Sequence, residues 1–204
     1  VDNGHERAAE ARVNWVLMRA FAQTGIDPQQ AVAYGERSIE LARELRLEDQ
    51  LAYSLNDIQY AYRSNLQVQQ AVESLTEARD RWRAIGQQHM LADNLNQAAL
   101  IEFFRGNFYE AEILTNESLS ISAATDNIIQ FTLCHFVQTL IAYERGEFTA
   151  AFSAMQPGLD SPNPIFAGIS MIKAWVLMEL NNLDLAVRQM AAAQNLMEHF
   201  HLQP

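Results

Sequence analysis

Two stretches that lie forty residues apart decide the fold: Arg105-Gly106-Asn107-Phe108-Tyr109-Glu110-Ala111 and Arg145-Gly146-Glu147-Phe148-Thr149-Ala150-Ala151. In each, an aromatic residue follows the glycine by two positions and an alanine follows it by five. Glycine readily adopts the left-handed conformation found just after the end of a helix. Each stretch therefore predicts a turn between two helices, and their common spacing predicts a repeat protein.

The same spacing runs through the chain. Five alanines, here called the register alanines, follow the predicted turns at intervals of 40, 40, 40 and 35 residues: Ala31, Ala71, Ala111, Ala151 and Ala186. A small side chain near the start of a second helix lets that helix pack closely against the first helix of its unit. We expect five helix-turn-helix units, over residues 11–50, 51–90, 91–130, 131–165 and 166–204, in one helical repeat domain spanning residues 1–204.

Residue patterns at the helix faces and helix ends agree with the division into five units. In the third unit Leu91, Leu95 and Ala98 recur at the spacing of one helical face. Asp27 followed by Pro28 predicts a helix start, because aspartate caps a helix and proline suits its first position. Four glycines stand where helices are expected to stop: Gly25, Gly86, Gly106 and Gly146.

The fourth unit is five residues shorter than the others. Its second helix is expected to end near Met155, because Pro157-Gly158 and the prolines at 162 and 164 cannot continue a helix. This segment is the best candidate for a bend or a mobile loop. The period resumes directly after it, so it does not predict a domain boundary.

Composition excludes several classes of protein. The 204 residues are 49% hydrophobic and carry a formal net charge of -11, so the chain can bury a core and is expected to repel nucleic-acid phosphates. The single cysteine, Cys134, excludes an intrachain disulfide framework and a zinc site built of several thiolates. No apolar run approaches the roughly 18–20 residues that a membrane-spanning helix needs. We expect a cytoplasmic protein that contacts neither nucleic acid nor membrane directly.

The motifs of common catalytic sites are missing. The sequence holds no glycine-rich phosphate loop and no His-Glu-x-x-His metal motif. His199 and His201 lie two residues apart, so on a helix they point away from each other. Cys134 and His135 are direct neighbours and diverge in the same way, which favours Cys134 as a small buried hydrophobe. The sequence therefore predicts no catalytic residues, no metal site and no cofactor.

The pattern resembles that of tetratricopeptide repeats. First-helix positions of that family correspond to Trp15, Leu55 and Leu95, and the glycine–aromatic–alanine turn is similar to that at Gly106 and Gly146. Further residues that match the family's apolar or small positions are Met18, Ile58, Tyr62, Ala78, Ala99, Ala174 and Ala193. The period exceeds the usual 34 residues of the family. HEAT-type repeats share the longer period, but the turn favours the tetratricopeptide type.

A forty-residue version is similar to the helical arrays of bacterial multidomain transcription activators of the maltose-activator kind, and of related signal-transduction ATPases. The stretch from Ala78 to Gly86 carries most of this likeness. Departures are Glu102 at a usually aromatic position, and His135 and Lys173 at apolar ones. The resemblance implies an all-α fold, a right-handed α-α superhelix (a solenoid) of five units, here as a fragment of a larger regulator.

In such arrays the first helices line a concave groove. The resemblance implies a groove that binds a protein or peptide segment, or a neighbouring domain of the same chain, without catalysis. The alternatives are a small effector bound in the groove, or a structural spacer. Phe103, Phe136 and Trp175 could equally be packed between units. The residues predicted to line the groove are Tyr53, Asn56, Asp57, Tyr60, Arg63, Asp93, Asn96, Gln97, Phe103, Phe136, Tyr143 and Trp175.

The last predicted helix, about Leu183 to Phe200, is apolar on nearly all sides. Its apolar positions include Val187, Met190 and Met197. A terminal repeat normally presents a polar outer face. The sequence therefore predicts that a further repeat, or end-to-end self-association of the chain, covers this helix.

Overall fold

The computed structural model describes residues 3–155 and 165–199. These residues form ten α-helices and no strand, which confirms the predicted all-α class. The helices are α1 (Asn3–Thr24), α2 (Pro28–Glu44), α3 (Glu48–Ser64), α4 (Val68–Ile85), α5 (Gln88–Phe104), α6 (Phe108–Ala124), α7 (Ile128–Glu144), α8 (Phe148–Ala154), α9 (Ile165–Glu179) and α10 (Leu183–His199). No helix formed by the described residues combines the length and apolar character that crossing a bilayer requires.

The turns lie where the spacing predicts them. The four glycines expected at helix ends all have positive φ, between 65° and 79°. Four other turns place a non-glycine residue in this region: Arg46, Leu66, Asp126 and Asn181. The residue type therefore identified only half of the left-handed turn positions, because the hydrogen bonds of the helix end can hold an ordinary residue there.

The predicted helix ends are also confirmed. The side chain of Asp27 caps α2 by accepting a hydrogen bond from the backbone N–H of Gln30 at 3.0 Å. α8 ends at Ala154, with Met155 at its C-cap. The segment with Pro157 and Gly158, expected to form a bend or loop, lies outside the described residues, as does Phe200.

The chain divides into two compact units, Val1–Ile101 (unit 1) and Glu102–Pro204 (unit 2). The core of unit 1 includes Met18, Ile58 and Trp82, none of them more than 1% exposed. In unit 2, Met155 and Val176 are buried in one apolar cluster. The register alanines are 0–3% exposed, so they lie inside the helix packing, where the sequence predicts a small side chain. A single domain over residues 1–204 stays a prediction.

Glu102, which departs from the family pattern, is held by its own turn in unit 2. It is 7% exposed, and its carboxylate accepts hydrogen bonds from Arg105 Nη1 at 2.7 Å and Asn107 Nδ2 at 2.6 Å. A buried carboxylate is tolerated when it is paired and hydrogen-bonded. An acid can therefore stand at this position because the following turn supplies its donors.

Gly35 lies at a tight contact between helices of unit 1. It is buried in α2, and a Cβ built there would lie 2.6 Å from Cγ1 of Ile58 on α3 and 3.0 Å from Cγ of Met18 on α1. Ile58 is fully buried and, being β-branched, has little freedom to rotate about χ1. The first helix of the second repeat therefore leaves no room for a side chain at residue 35.

We predict that Gly35→Leu lowers the free energy of unfolding by about 2–3 kcal/mol, because it overpacks this contact. Gly4→Leu is the control, since a Cβ at Gly4 meets no atom within 4 Å. Ile58→Ala alone should cost about 2–5 kcal/mol through the cavity it leaves. Combined with Gly35→Leu, it should cost clearly less than the sum. Additive losses in urea denaturation would contradict the contact between residues 35 and 58.

Candidate functional site

Eight of the twelve predicted groove residues lie on α3 and α5 of unit 1. Among them Tyr53, Asp57 and Tyr60 follow the spacing i, i+4, i+7, so they share one side of α3. The side chains of Tyr53 and Tyr60 are 37% and 40% exposed, and that of Asp57 is 13% exposed. We call Tyr53, Asp57, Tyr60 and Asp93, with Trp15 and Arg19 of α1, the tyrosine–aspartate face.

A hydrogen bond and an ion pair to Asp57 connect α1 with α3. The indole Nε1–H of Trp15 donates to Asp57 Oδ2 at 2.9 Å, and Arg19 Nε lies 3.6 Å from the same oxygen. The Arg19 guanidinium also lies over the Trp15 ring, 5.1 Å from its centroid. These contacts hold the carboxylate and the indole in fixed positions.

Asn56 connects the same carboxylate with α5. Its Nδ2 donates to Asp57 Oδ1 at 3.2 Å and to Asp93 Oδ2 at 3.1 Å, while its Oδ1 accepts from Asn94 Nδ2 at 3.0 Å. Asn56 and Asn94 are fully buried. One buried amide therefore holds two carboxylates side by side between the first helices of neighbouring repeats.

Burial and neighbouring carboxylates raise two pKa values on the tyrosine–aspartate face. Burial raises the pKa of Asp57 above its usual value and the nearby charge of Asp93 raises it further, against the hydrogen bond from Asn56 and the charge of Arg19, which lower it. Burial, followed by the charges of Asp93 and Asp57, raises the pKa of the Tyr60 phenol to about 12. Asp57 and Asp93 thus both contribute a negative field at the Tyr60 phenol, and the charges of Arg63 and Arg19 act in the opposite direction.

Tyr53 and Tyr60 present different surroundings. The ring of Tyr53 packs edge-on against Trp82, with centroids 4.9 Å apart, and lies 5.9 Å from the ring of Trp15. Tyr60 borders two shallow clefts of about 290 and 360 Å³, which share Ala22 of α1. Arg63 lines the second cleft, and its Nη1 donates to Gln59 Oε1 at 3.3 Å. On this face the ring of Tyr53 is therefore held by neighbouring rings, whereas the ring of Tyr60 borders open clefts.

The remaining predicted residues differ in accessibility. Asn96 is 3% exposed, and Gln97 is half-buried on α5. In unit 2, Phe103 is 8% exposed and packs against the rings of Phe104 and Phe108. Phe136 and Tyr143 are half-buried, whereas Trp175 is 47% exposed. Assignment of all twelve to a partner groove stays a prediction, and Asn56, Asn96 and Phe103 have little surface to offer a partner.

Sequence reasoning missed the part that α1 plays in this face. Trp15 was assigned only as a repeat-motif residue, and Arg19 not at all. Their i, i+4 spacing places both on one side of α1 and was the available signal. The pairing of that side with Asp57 depends on how α1 packs against α3, which spacing within one helix does not reveal.

The residues considered for chemistry are placed as follows. Cys134 is buried and does not form a disulfide, and the His135 ring packs edge-on against Phe131 at 4.7 Å. Burial lowers the pKa of His135. In residues 3–155 and 165–199, no three His, Cys, Asp or Glu side chains come together as a group that could hold a metal ion.

We predict that the stability of Asp57→Asn, relative to the wild type, rises as the pH is raised from about 4 to 7. A carboxyl whose pKa is raised by folding destabilises the native state as it ionises, so the wild type loses this stability as the pH rises above the unfolded pKa. Urea denaturation across this pH range measures the difference. Asp80→Asn, at an exposed position, controls for loss of one negative charge. A difference that falls with pH would contradict the desolvation of Asp57.

A scan against models of protein families finds no match, and a search of curated proteins finds none either. Several solved structures are similar. BtubC (BKLC) from P. vanneervenii has a TM-score of 0.73 at 16% identity, with 99% of this chain and 91% of that chain covered. A Podosopora anserina putative kinesin light chain with nearly identical TPR-like repeats has a TM-score of 0.69 at 18% identity, covering 95% and 97%.

Aspartyl phosphate phosphatase F from Bacillus subtilis is also similar, with a TM-score of 0.68 at 11% identity over 93% of this chain. This chain spans 60% of the length of that protein. At these identities the likeness shows the fold alone. It confirms the predicted tetratricopeptide-like helical repeat.

Proposed function

We propose that the chain is a non-catalytic interaction module whose tyrosine–aspartate face binds an extended protein segment with a basic side chain. One observation carries the proposal: the Asn56 amide holds Asp57 and Asp93 side by side, next to two half-exposed tyrosines. Tyrosine and tryptophan are frequent anchors in protein interfaces. A lysine or arginine side chain would complement the negative charge and could contact the faces of the rings.

The spacing of the two tyrosines suits an extended segment. Tyr53 and Tyr60 are seven residues apart on α3, which corresponds to about 10 Å at the helical rise. An extended chain advances about 3.3 Å per residue, so side chains three positions apart span the same distance. Asp57 lies between the two rings in sequence. A segment with apolar residues at positions 1 and 4 and a basic residue between them matches this arrangement.

The charge of the whole chain supports the same class of partner. Its formal net charge is -11, which accelerates the encounter with a basic segment. The two clefts beside Tyr60, of about 290 and 360 Å³, lie at the lower end of the range for small-molecule pockets. The geometry therefore favours a peptide over the alternative, a small effector.

We further propose that this module belongs to a larger cytoplasmic regulator of the bacterial signalling or transcription type. The support is the resemblance of the stretch from Ala78 to Gly86 to the helical arrays of such regulators. The partner would be a segment of another protein or a neighbouring domain of the same chain. DNA reading or nucleotide hydrolysis, where present, would be carried by other domains.

We predict that a fluorescein-labelled peptide with the core Leu-Arg-Ser-Leu binds the chain at least about tenfold more tightly than one with Leu-Glu-Ser-Leu, a difference of about 1.4 kcal/mol. Tyr60→Ala and Asp93→Asn should each weaken the arginine peptide several-fold, because the first removes a ring and the second removes a negative charge. Fluorescence anisotropy measures the affinities.

Two matched variants control this experiment. Tyr109→Ala removes a tyrosine that is 77% exposed in unit 2, and Asp80→Asn removes an exposed charge elsewhere in unit 1. Neither should change the affinity, and thermal melts should show that all four variants remain folded. Equal binding of the two peptides, or binding insensitive to both Tyr60→Ala and Asp93→Asn, would contradict the proposal.

A further inference from the structure

The exposure of the residue four positions after each register alanine shows whether a neighbouring helix covers that side of the second helix. In the four earlier repeats this residue is buried: Gly35, Leu75 and Thr115 lie within second helices, and Met155 is the C-cap of α8. At Gly35 the cover includes Ile58 of α3, the first helix of the following repeat. In α10 the corresponding residue, Met190, is 46% exposed, and its neighbour Val187 is 67% exposed. No described residue covers α10 as α3 covers α2.

A second comparison is between Asn56 on α3 and Met171 on α9. Asn56 lies fifteen residues before its register alanine, is fully buried, and bonds to Asp93 and Asn94 on the following first helix. The corresponding residue of α9 is Met171, which instead lines a cleft shared with α10. The cleft measures about 650 Å³, and its lining includes Val187, Met190, Ala191, Ala193 and Met197. Since Met190 lines this α9–α10 cleft and has the register of Gly35, the cleft corresponds to the place that α3 occupies beside α2.

The first helix of the chain, α1, presents the complementary surface. In the first helices of unit 1, the residue eighteen positions before the register alanine contacts the preceding first helix. Tyr53 of α3 lies beside Trp15 of α1, and Asp93 of α5 accepts a hydrogen bond from Asn56 of α3. In α1 this position is Val13, which is 56% exposed. Leu17 and Ala20 follow at i+4 and i+7 and are also accessible. We call these three residues the α1 stripe.

We propose that the α1 stripe of a second copy of this chain packs into the α9–α10 cleft, so that chains associate head to tail. By the repeat register, α1 is the same kind of helix as α3, which fills the corresponding place on the first helix pair. The charges also suit this pairing, since Glu198 lines the cleft and Arg12, next to Val13, is exposed. The contact joins two different surfaces, so it leaves one of each free and permits further growth.

Sedimentation velocity over a wide range of protein concentration tests this association. We predict that the wild type forms dimers and larger species as the concentration rises. Met190→Asp should be monomeric because it places a charge in the cleft, and Val13→Asp should be monomeric because it places one on the stripe. Val187→Asp is a second cleft variant, and Ala33→Asp, exposed on α2, adds the same charge outside both surfaces and should associate as the wild type does.

Mixing the two monomeric variants distinguishes this arrangement from other ones. Met190→Asp keeps an intact stripe and Val13→Asp keeps an intact cleft, so an equimolar mixture should form a one-to-one dimer that does not grow. Circular dichroism melts should show both variants folded. A wild type that stays monomeric overturns the proposal, as does a mixture without dimers. Dimers of Val13→Asp alone would indicate a cleft-to-cleft contact and also overturn it. None of these outcomes depends on peptide binding at Tyr60 or Asp93.

Discussion

Close approach of paired helices at the register alanines is the constraint on which the rest of this structure depends. These five residues are 0–3% exposed, and a small side chain there lets the second helix of a unit pack closely against the first. Gly35 extends the same requirement to the contact between repeats, where even a methyl group would meet Ile58. Because small residues let the helices approach, larger apolar side chains can fill the core of each unit, such as Ile58 and Trp82 in unit 1 and Val176 in unit 2.

Polar contacts also join neighbouring repeats of unit 1. Asn56 is fully buried, and its amide reaches Asp57 on its own helix and Asp93 on the next first helix. A buried amide costs free energy unless its donors and acceptor find partners. This network therefore favours one relative position of α3 and α5. The same bonds hold the carboxylates next to Tyr53 and Tyr60, so one set of contacts both orders the repeats and shapes the proposed binding face.

The sequence allowed the helices, their turns and the spacing of the repeats to be predicted, since each depends on residues within one helix pair. The left-handed conformations of Leu66 and Asp126 could not be read from residue type, because hydrogen bonds at the helix ends impose them. For the site, helical spacing places Tyr53, Asp57 and Tyr60 on one side of α3, and their role in a partner groove stays a prediction. It did not separate Asn56, which is buried, from its exposed neighbours, and it did not include Arg19, whose role requires the packing of α1 on α3.

By itself, then, the sequence determined the all-α class, the number of helix pairs and the positions where helices approach closely, because periodicity and turn chemistry act over a few residues. The tertiary structure alone decided which polar side chains meet, which aromatic rings are covered and where an apolar cleft stays open. Those properties depend on the distance and rotation between one helix pair and the next. Contacts between residues far apart in the sequence set this distance and rotation. Examples are the hydrogen bond from Trp15 to Asp57 and the packing of Gly35 against Ile58.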